Sequence, residues 1–264
     1  MDQKAKAVWR RQKGHTENTI DWLAAEEPLE IRIEGKPTAV LLRTPGDDLD
    51  LVTGFLSTEG VIDGIDDVVA MAHVDDPSDP QGNTIDVILA GGIPLYKKRK
   101  ADREMFASSS CGICGKASID NLLQKAPERT EWEDINPTLI LSLPEKLQAS
   151  QAIFQKTGGL HAAALFDPTG SLIVLREDIG RHNAVDKVIG HCMRSDRWPL
   201  SSLILLVSGR AGFEIVQKAL MAQIGILAAV GAPSAMAASL AHEGKMRLIG
   251  FLRNGRYNLY EDLK

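Results

Sequence analysis

Cys111 and Cys114 stand three residues apart in Ser108-Ser109-Ser110-Cys111-Gly112-Ile113-Cys114-Gly115, between a serine run and a segment with helical character. At a helix start, free N–H groups and the positive end of the dipole favour a thiolate, and a spacing of three puts both sulfurs on one face. Four chemistries compete for such a pair. Zinc needs two further ligands, and the chain offers only single histidines, His161, His182 and His191, with no second cysteine pair. A thioredoxin-like redox pair belongs after an early strand of a smaller fold, and two inert loop cysteines are the bland alternative. Carriage of sulfur as a persulfide fits an exposed, flexible loop best. A zinc deaminase is disfavoured, because the cysteines precede His161-Ala162-Ala163 and an alanine stands where a proton-shuttling glutamate is required. A metal-binding structural module stays open at this point, and it predicts stoichiometric zinc.

The densest polar cluster is Arg176-Glu177-Asp178-Ile179-Gly180-Arg181-His182-Asn183, read as a strand-to-helix turn. Such a turn offers backbone N–H groups to an anion, and a carboxylate there can accept from a guanine or ribose edge. A second turn of this kind, Ser208-Gly209-Arg210-Ala211-Gly212, follows an apolar strand ending at Val207. Two such turns at one sheet edge frame a crevice of nucleotide size, to which Asp178, Arg181, Asn183, Ser208 and Arg210 are assigned. His161, after Thr157-Gly158-Gly159-Leu160, reaches the same crevice. Phe251-Leu252-Arg253-Asn254-Gly255-Arg256 puts two guanidinium groups around a glycine turn, suited to a diphosphate. Cys192 falls in an apolar-periodic helix and reads as a packing residue.

The elements that must position these groups change character along the chain. Residues 29–34 and 38–42 alternate as a hairpin, and Thr44-Pro45-Gly46-Asp47-Asp48 opens a helix with Leu49, Val52, Phe55 and Leu56 on one face and Gly60 as its stop. Strands are expected at 68–74 and 84–89, making residues 1–100 a small α+β domain. A basic linker or loop covers 93–110, including the lysine-rich run 97–100. Beyond it come helices at 118–125 and 145–156, a strand pair at 161–166 and 172–175, and a helix at 181–193. A strand at 203–207, helix 213–224, strand 225–230 and helix 234–242 follow, then terminal strands at 246–251 and 257–260. This alternation implies that residues 101–264 form a layered α/β domain around a largely parallel, covered sheet, with the last strands able to return to the small domain.

The chain has 264 residues, 30 Lys+Arg, 35 Asp+Glu and a net charge of −5, with 44% hydrophobic residues. That is globular composition with an acidic balance, which argues against general nucleic-acid binding. Three cysteines are too few for a disulfide framework, and residues 1–16 are basic and polar without the apolar core of a secretory signal, which places the chain in the cytoplasm. The apolar stretch 219–241 is interrupted by Gly225, Gly231 and Pro233 and reads as helix, strand and helix rather than a membrane span.

Taken together, these motifs resemble the FdhD family, the accessory sulfurtransferases required by formate dehydrogenases. The resemblance is carried by Thr44-Pro45 with Asp48-Leu49 and Gly54-Phe55-Leu56-x-x-Glu59-Gly60; by Ser110-Cys111-Gly112-Ile113-Cys114-Gly115-Lys116; and by Thr157-Gly158-Gly159-Leu160-His161-Ala162-Ala163. It continues through the specific run Glu177-Asp178-Ile179-Gly180-Arg181-His182-Asn183-Ala184-Val185-Asp186-Lys187, Ser208-Gly209-Arg210, and Gly250-Phe251 with Arg253. It implies a larger domain with a three-layer, cytidine-deaminase-like fold without zinc, and a homodimer. It also implies a protein that accepts sulfur from a cysteine desulfurase as a cysteine persulfide. The sulfur passes to the molybdenum or tungsten of a bis(molybdopterin guanine dinucleotide) cofactor, bound as substrate for delivery to formate dehydrogenase. By the same resemblance Cys111 bears the persulfide, Cys114 is relay or resolving partner, and the stretch from Phe251 to Arg256 contacts the cofactor. Carriage of the cofactor without sulfur chemistry is the alternative.

Overall fold

A computed structural model describes residues 2–77, 79–92 and 136–260; Cys111, Cys114, the basic run 97–100 and the helix expected at 118–125 lie outside them. The first element is a ribbon of two antiparallel strands, β1 (Gln3–Gln12) and β2 (His15–Ala24), joined by Lys13 and Gly14, both at positive φ. Positive φ at both central residues is the two-residue turn that matches the twist of the flanking strands.

Next, β3 (Glu27–Ile33), β4 (Lys36–Arg43), β5 (Val68–His73) and β6 (Thr84–Leu89) form a four-stranded sheet in the order β4-β3-β6-β5. Alternation along β3 and β6 turns Leu29, Ile31, Ile33, Ile85, Val87 and Leu89 inward. They meet Leu51, Val52 and Leu56 of α1 (Asp48–Thr58), the helix that the Pro-Gly-Asp-Asp start predicts.

The larger sheet contains β7 (His161–Phe166), β8 (Leu172–Asp178), β9 (Ile204–Val207), β10 (Ile226–Ala229), β11 (Arg247–Arg253) and β12 (Arg256–Tyr260), ordered β12-β11-β10-β9-β7-β8. Helices α2 (Pro137–Ser150), α3 (Phe154–Thr157), α4 (Arg181–Arg194), α5 (Phe213–Met221) and α6 (Ala235–Glu243) complete the described elements. Ile140, Leu143 and Leu147 of α2 cover one face of this sheet through Ala162, Ala164 and Phe166. On the other face, Val188, Ile215 and Leu240 of α4, α5 and α6 meet Leu165, Leu205 and Leu227. The protein is thus a mixed α/β fold with helices on both faces of its main sheet.

Three expectations are corrected. Only β9-β10 and β10-β11 are parallel, whereas β7 runs against both β8 and β9, and β12 against β11, so the sheet is mixed rather than largely parallel. The short loops that produce hairpins at both margins, 167–171 and 254–255, enforce this. The last strands do not return to the small sheet; β11 and β12 extend the large one beyond β10. The helix expected at 145–156 begins earlier, at Pro137, capped by the Asn136 side chain accepting from Thr138 N, and ends at Ser150 before a separate turn at Phe154–Thr157. Asn136-Pro137, a cap followed by proline in the first turn, was the signal for that start.

The stretch 219–241 does fold as the end of α5, strand β10 and the start of α6. Among the described residues no helix is long and apolar enough to cross a membrane.

Candidate functional site: a rim at the strand ends

Strand direction gathers most of the expected site residues at one edge of the large sheet. His161, the first residue of β7, lies opposite Asp178, the last of β8. Ser208 follows the end of β9, and its main chain continues the ladder, N to Ala162 O at 2.9 Å, while Ala162 N donates to Ser208 Oγ at 2.9 Å. Gly231 N donates to Gly209 O at 2.9 Å, and Phe251 N to Gly231 O at 2.9 Å, which ties the loops after β9 and β10 to the end of β11. Carboxyl ends of strands leading into helix N-termini are where α/β sheets place ligands, because the next residues are free of the ladder and helix N–H groups face outward. α4 and α5 begin there at Gly180 and Gly212, neither with a side-chain cap.

Glycine is required at Gly231, where the contact is with backbone, while at Gly180 the contact is with a side chain. A Cβ on Gly231 would lie 2.9 Å from Gly209 O, and one on Gly180 would lie 2.8 Å from Asn183 Nδ2. Main chain therefore meets main chain where β11 and the loops after β9 and β10 come together.

The expected ligand contacts divide sharply by exposure. Arg181, Arg210, Arg253, Asn254, Gly255 and Arg256 are exposed, and His161, Ser208 and Phe251 are half-buried. Asn254 and Gly255, both at positive φ, turn the chain between β11 and β12, and Arg253 lies over the Phe251 ring, 5.9 Å from its centroid. Arg181 is 3.7 Å from Glu214, which also bonds His182 Nε2 at 2.9 Å. Burial, then the adjacent Arg181 charge, holds the His161 and His182 imidazoles below their ordinary value. Neutral rings are thus favoured beside the Arg181 guanidinium.

Asp178, Asn183 and Leu252 do not face this edge. Leu252 packs in the core beneath α2. Asp178 is buried and pairs with Lys187 at 2.8 Å, while accepting from Thr44 N at 3.1 Å, Gly180 N at 2.8 Å and Asn183 Nδ2 at 2.9 Å. Asn183 Nδ2 also reaches Leu42 O at 2.8 Å, and Lys187 Nζ reaches Thr44 O at 2.9 Å. These carboxylate and amide groups are spent on binding the end of β4 to the turn after β8. They position the rim instead of contacting what lies over it.

Sequence reasoning missed a second buried pair below the first. Lys218 Nζ lies 2.8 Å from Asp186 Oδ2 and 2.9 Å from Thr58 Oγ1, joining α5, α4 and α1. Burial pushes the Asp186 carboxyl upward against the pull of Lys218. Gly54 and Gly190 make the crossing of α1 and α4 close: a Cβ on either would stand 1.9 Å from a carbonyl oxygen, of Asp186 and Asp50 respectively. Gly54 belonged to a quoted motif, and Lys187 closes another, but their reason is geometric. Cys192 is buried as expected, its thiol pushed up to about 11 mainly by burial. Cys111 and Cys114 fall outside the described residues.

Fold and site together define an α/β protein with a cationic rim at its strand ends, whose buried ion pairs are hydrogen-bonded to Thr44 after β4 and Thr58 of α1. Residues 24–264 match the FdhD/NarQ family. The chain is 47% identical over 259 residues to a protein of Streptomyces avermitilis named sulfur carrier protein FdhD, covering 96% of this chain and 92% of that one. It is 46% identical over 248 residues to the protein of that name from Mycobacterium tuberculosis, covering 90% and 89%. The fold is similar to the crystal structure of a protein provisionally assigned as a formate dehydrogenase accessory protein from Desulfotalea psychrophila. The TM-score is 0.77 at 21% identity, over 98% of this chain and 97% of that one. The chain belongs to the FdhD/NarQ family.

Proposed function

We propose that this protein is a cytoplasmic sulfur carrier for formate dehydrogenase, with Cys111 as the carrying residue. The observation that carries this reading is the family match across residues 24–264, a range that contains Cys111-Gly112-Ile113-Cys114, together with relatives named sulfur carrier proteins. The Cys111 thiolate attacks the terminal sulfur of a persulfide on a cysteine desulfurase; the donor's thiolate leaves, and Cys111 holds the sulfur as –S–SH. A persulfide is more acidic than a thiol, so the carried group is ionised near neutral pH. On delivery, the Cys114 thiolate attacks the inner sulfur, a Cys111–Cys114 disulfide forms, and the outer sulfur leaves as hydrosulfide. A dithiol reductant of the thioredoxin class then reopens the disulfide.

The acceptor in this reading is the molybdenum or tungsten of a bis(molybdopterin guanine dinucleotide) cofactor, bound as substrate. The rim suits its phosphates: Arg181, Arg210, Arg253 and Arg256 are exposed there, and guanidinium forks match phosphate oxygens in pairs. His161, Ser208 and Phe251 complete the contact set, with Asp178 and Asn183 as positioning residues. The helix layers on both faces of the large sheet agree with a cytidine-deaminase-like arrangement.

Incubation with a cysteine desulfurase and 35S-cysteine should place a reductant-labile label on Cys111. A Cys111→Ala protein that still takes up label and still activates formate dehydrogenase overturns the assignment. Activation in cells by a Cys111→Ser/Cys114→Ser protein would favour cofactor carriage without sulfur chemistry.

A further inference from the structure

Three basic side chains converge on one buried carboxylate where the start of α1, the middle of β8 and the end of α4 come together. Asp50 Oδ1 is 2.6 Å from Arg194 Nη1, and Oδ2 is 3.0 Å from Arg176 Nη2 and 3.2 Å from His191 Nδ1. Arg176 Nη2 is also 3.0 Å from His191 Nδ1. A guanidinium only donates, so Nδ1 accepts and the ring carries its proton on Nε2. Nδ1 and Asp50 Oδ2 are then two acceptors side by side, both served by the hydrogens of one nitrogen. Arg176 has a second carboxylate within reach. Its Nε is buried and makes no hydrogen bond, although Asp47 Oδ1 stands 3.2 Å away.

We propose that this junction is a proton-operated switch in which Arg176 exchanges one aspartate for the other. With His191 neutral, Arg176 bridges the ring and Asp50. A proton taken from water at Nδ1 makes that nitrogen a donor to Asp50 Oδ2. Arg176 Nη2 then faces a donor, and the guanidinium swings to Asp47, where its Nε–H gains the acceptor it lacks. Arg194 keeps Oδ1 in both states. The neighbouring groups are already engaged: His73 bonds Gly82 O through Nδ1 at 2.7 Å, and Asp48 is held by Arg43 at 2.9 Å. What the exchange moves is set by the turn that carries Asp47. That turn also carries Thr44, which donates from N to Asp178 Oδ2 and accepts from Ile179 N, both at 3.1 Å. Protonation therefore shifts a cation from α1 to the turn that fixes the β8–α4 end of the rim. Histidine is the side chain whose charge changes near neutrality, so the switch works at pH values a cell meets.

The switch stands independently of the sulfur chemistry. Its test is NMR of the full-length protein, labelled with 15N at histidine and arginine, between about pH 8 and about pH 5. At the upper end His191 should show the Nε2–H form. As pH falls, the Arg176 Nε–H signal should shift in step with the His191 ring signals. His191→Phe should abolish that shift, and Asp47→Ala should remove most of it while the His191 ring still takes up its proton. The Asp47 side chain is 45% exposed and that of His191 36%, so both variants should keep the wild-type circular dichroism. An Nδ1–H form at pH 8, a wild-type Arg176 signal that ignores His191, or one that titrates unchanged in either variant overturns the proposal.

Discussion

The run from Glu177 to Lys187 divides into two regions with opposite roles. One side of it, Asp178, Asn183, Asp186 and Lys187, is buried and bonds the large sheet to β4, α1 and α5. The other, Arg181 and His182, is open to solvent or half-buried at the start of α4 and meets Glu214. The more specific half of the motif is therefore architecture, and the exposed half is ordinary in type. A buried charge tolerates few substitutes because its partner is left unpaired in low dielectric, whereas an exposed arginine is screened by water.

The sharpest way to break this comparison is to remove one buried partner. Lys187→Met leaves Asp178 without its cation and should cost about 3–5 kcal/mol in urea unfolding; a loss below about 1 kcal/mol would mean that Asp178 is not held by that pair. Gly190→Ala should cost about 3 kcal/mol or more, since the added carbon meets the Asp50 carbonyl 1.9 Å away and only separation of α1 from α4 relieves it. Gly54→Ala should behave alike, and a wild-type melting temperature in either would show that the helices do not cross this closely.

On the rim the expected balance reverses. Arg253→Ala or Arg256→Ala should leave stability within about 0.5 kcal/mol and weaken GDP, used as a probe of the proposed cofactor site, by about tenfold, measured by calorimetry. Unchanged GDP affinity in both would move the proposed site away from the β11–β12 turn.

The smallest effect concerns protons. His161 and His182 are held below 6.5, first by burial and then by Arg181, so the unfolded chain binds more protons than the fold as pH drops below that value. Their stability contribution is complete above about pH 6.5 and is lost as pH falls from there through their folded midpoints. Arg181→Ala should raise both NMR midpoints and flatten that dependence; unmoved midpoints would show that its charge does not reach them.

Much of this was legible from pattern. Period two in β3 and β6, the capped start of α1, the uninterrupted apolar strands β9 and β10, and the glycine-rich turns after β8 and β9 follow from local chemistry. The ribbon was not, because its alternation is of alanine and tryptophan with lysine and shows weak contrast until the partner strand is known. The removal of Asp178, Asn183 and Leu252 from the candidate contacts was equally invisible. A turn carrying Asp, Arg and Asn looks the same whether its side chains point outward or into a neighbouring sheet.

By itself the sequence determined most of the local elements, the family and the presence of a cysteine pair, since these depend on residue type and spacing along one dimension. Only the tertiary structure decided which charges are enclosed and which are open, because burial is set by what β4, α1 and α5 bring against the motif from more than a hundred residues away on one side and some thirty on the other.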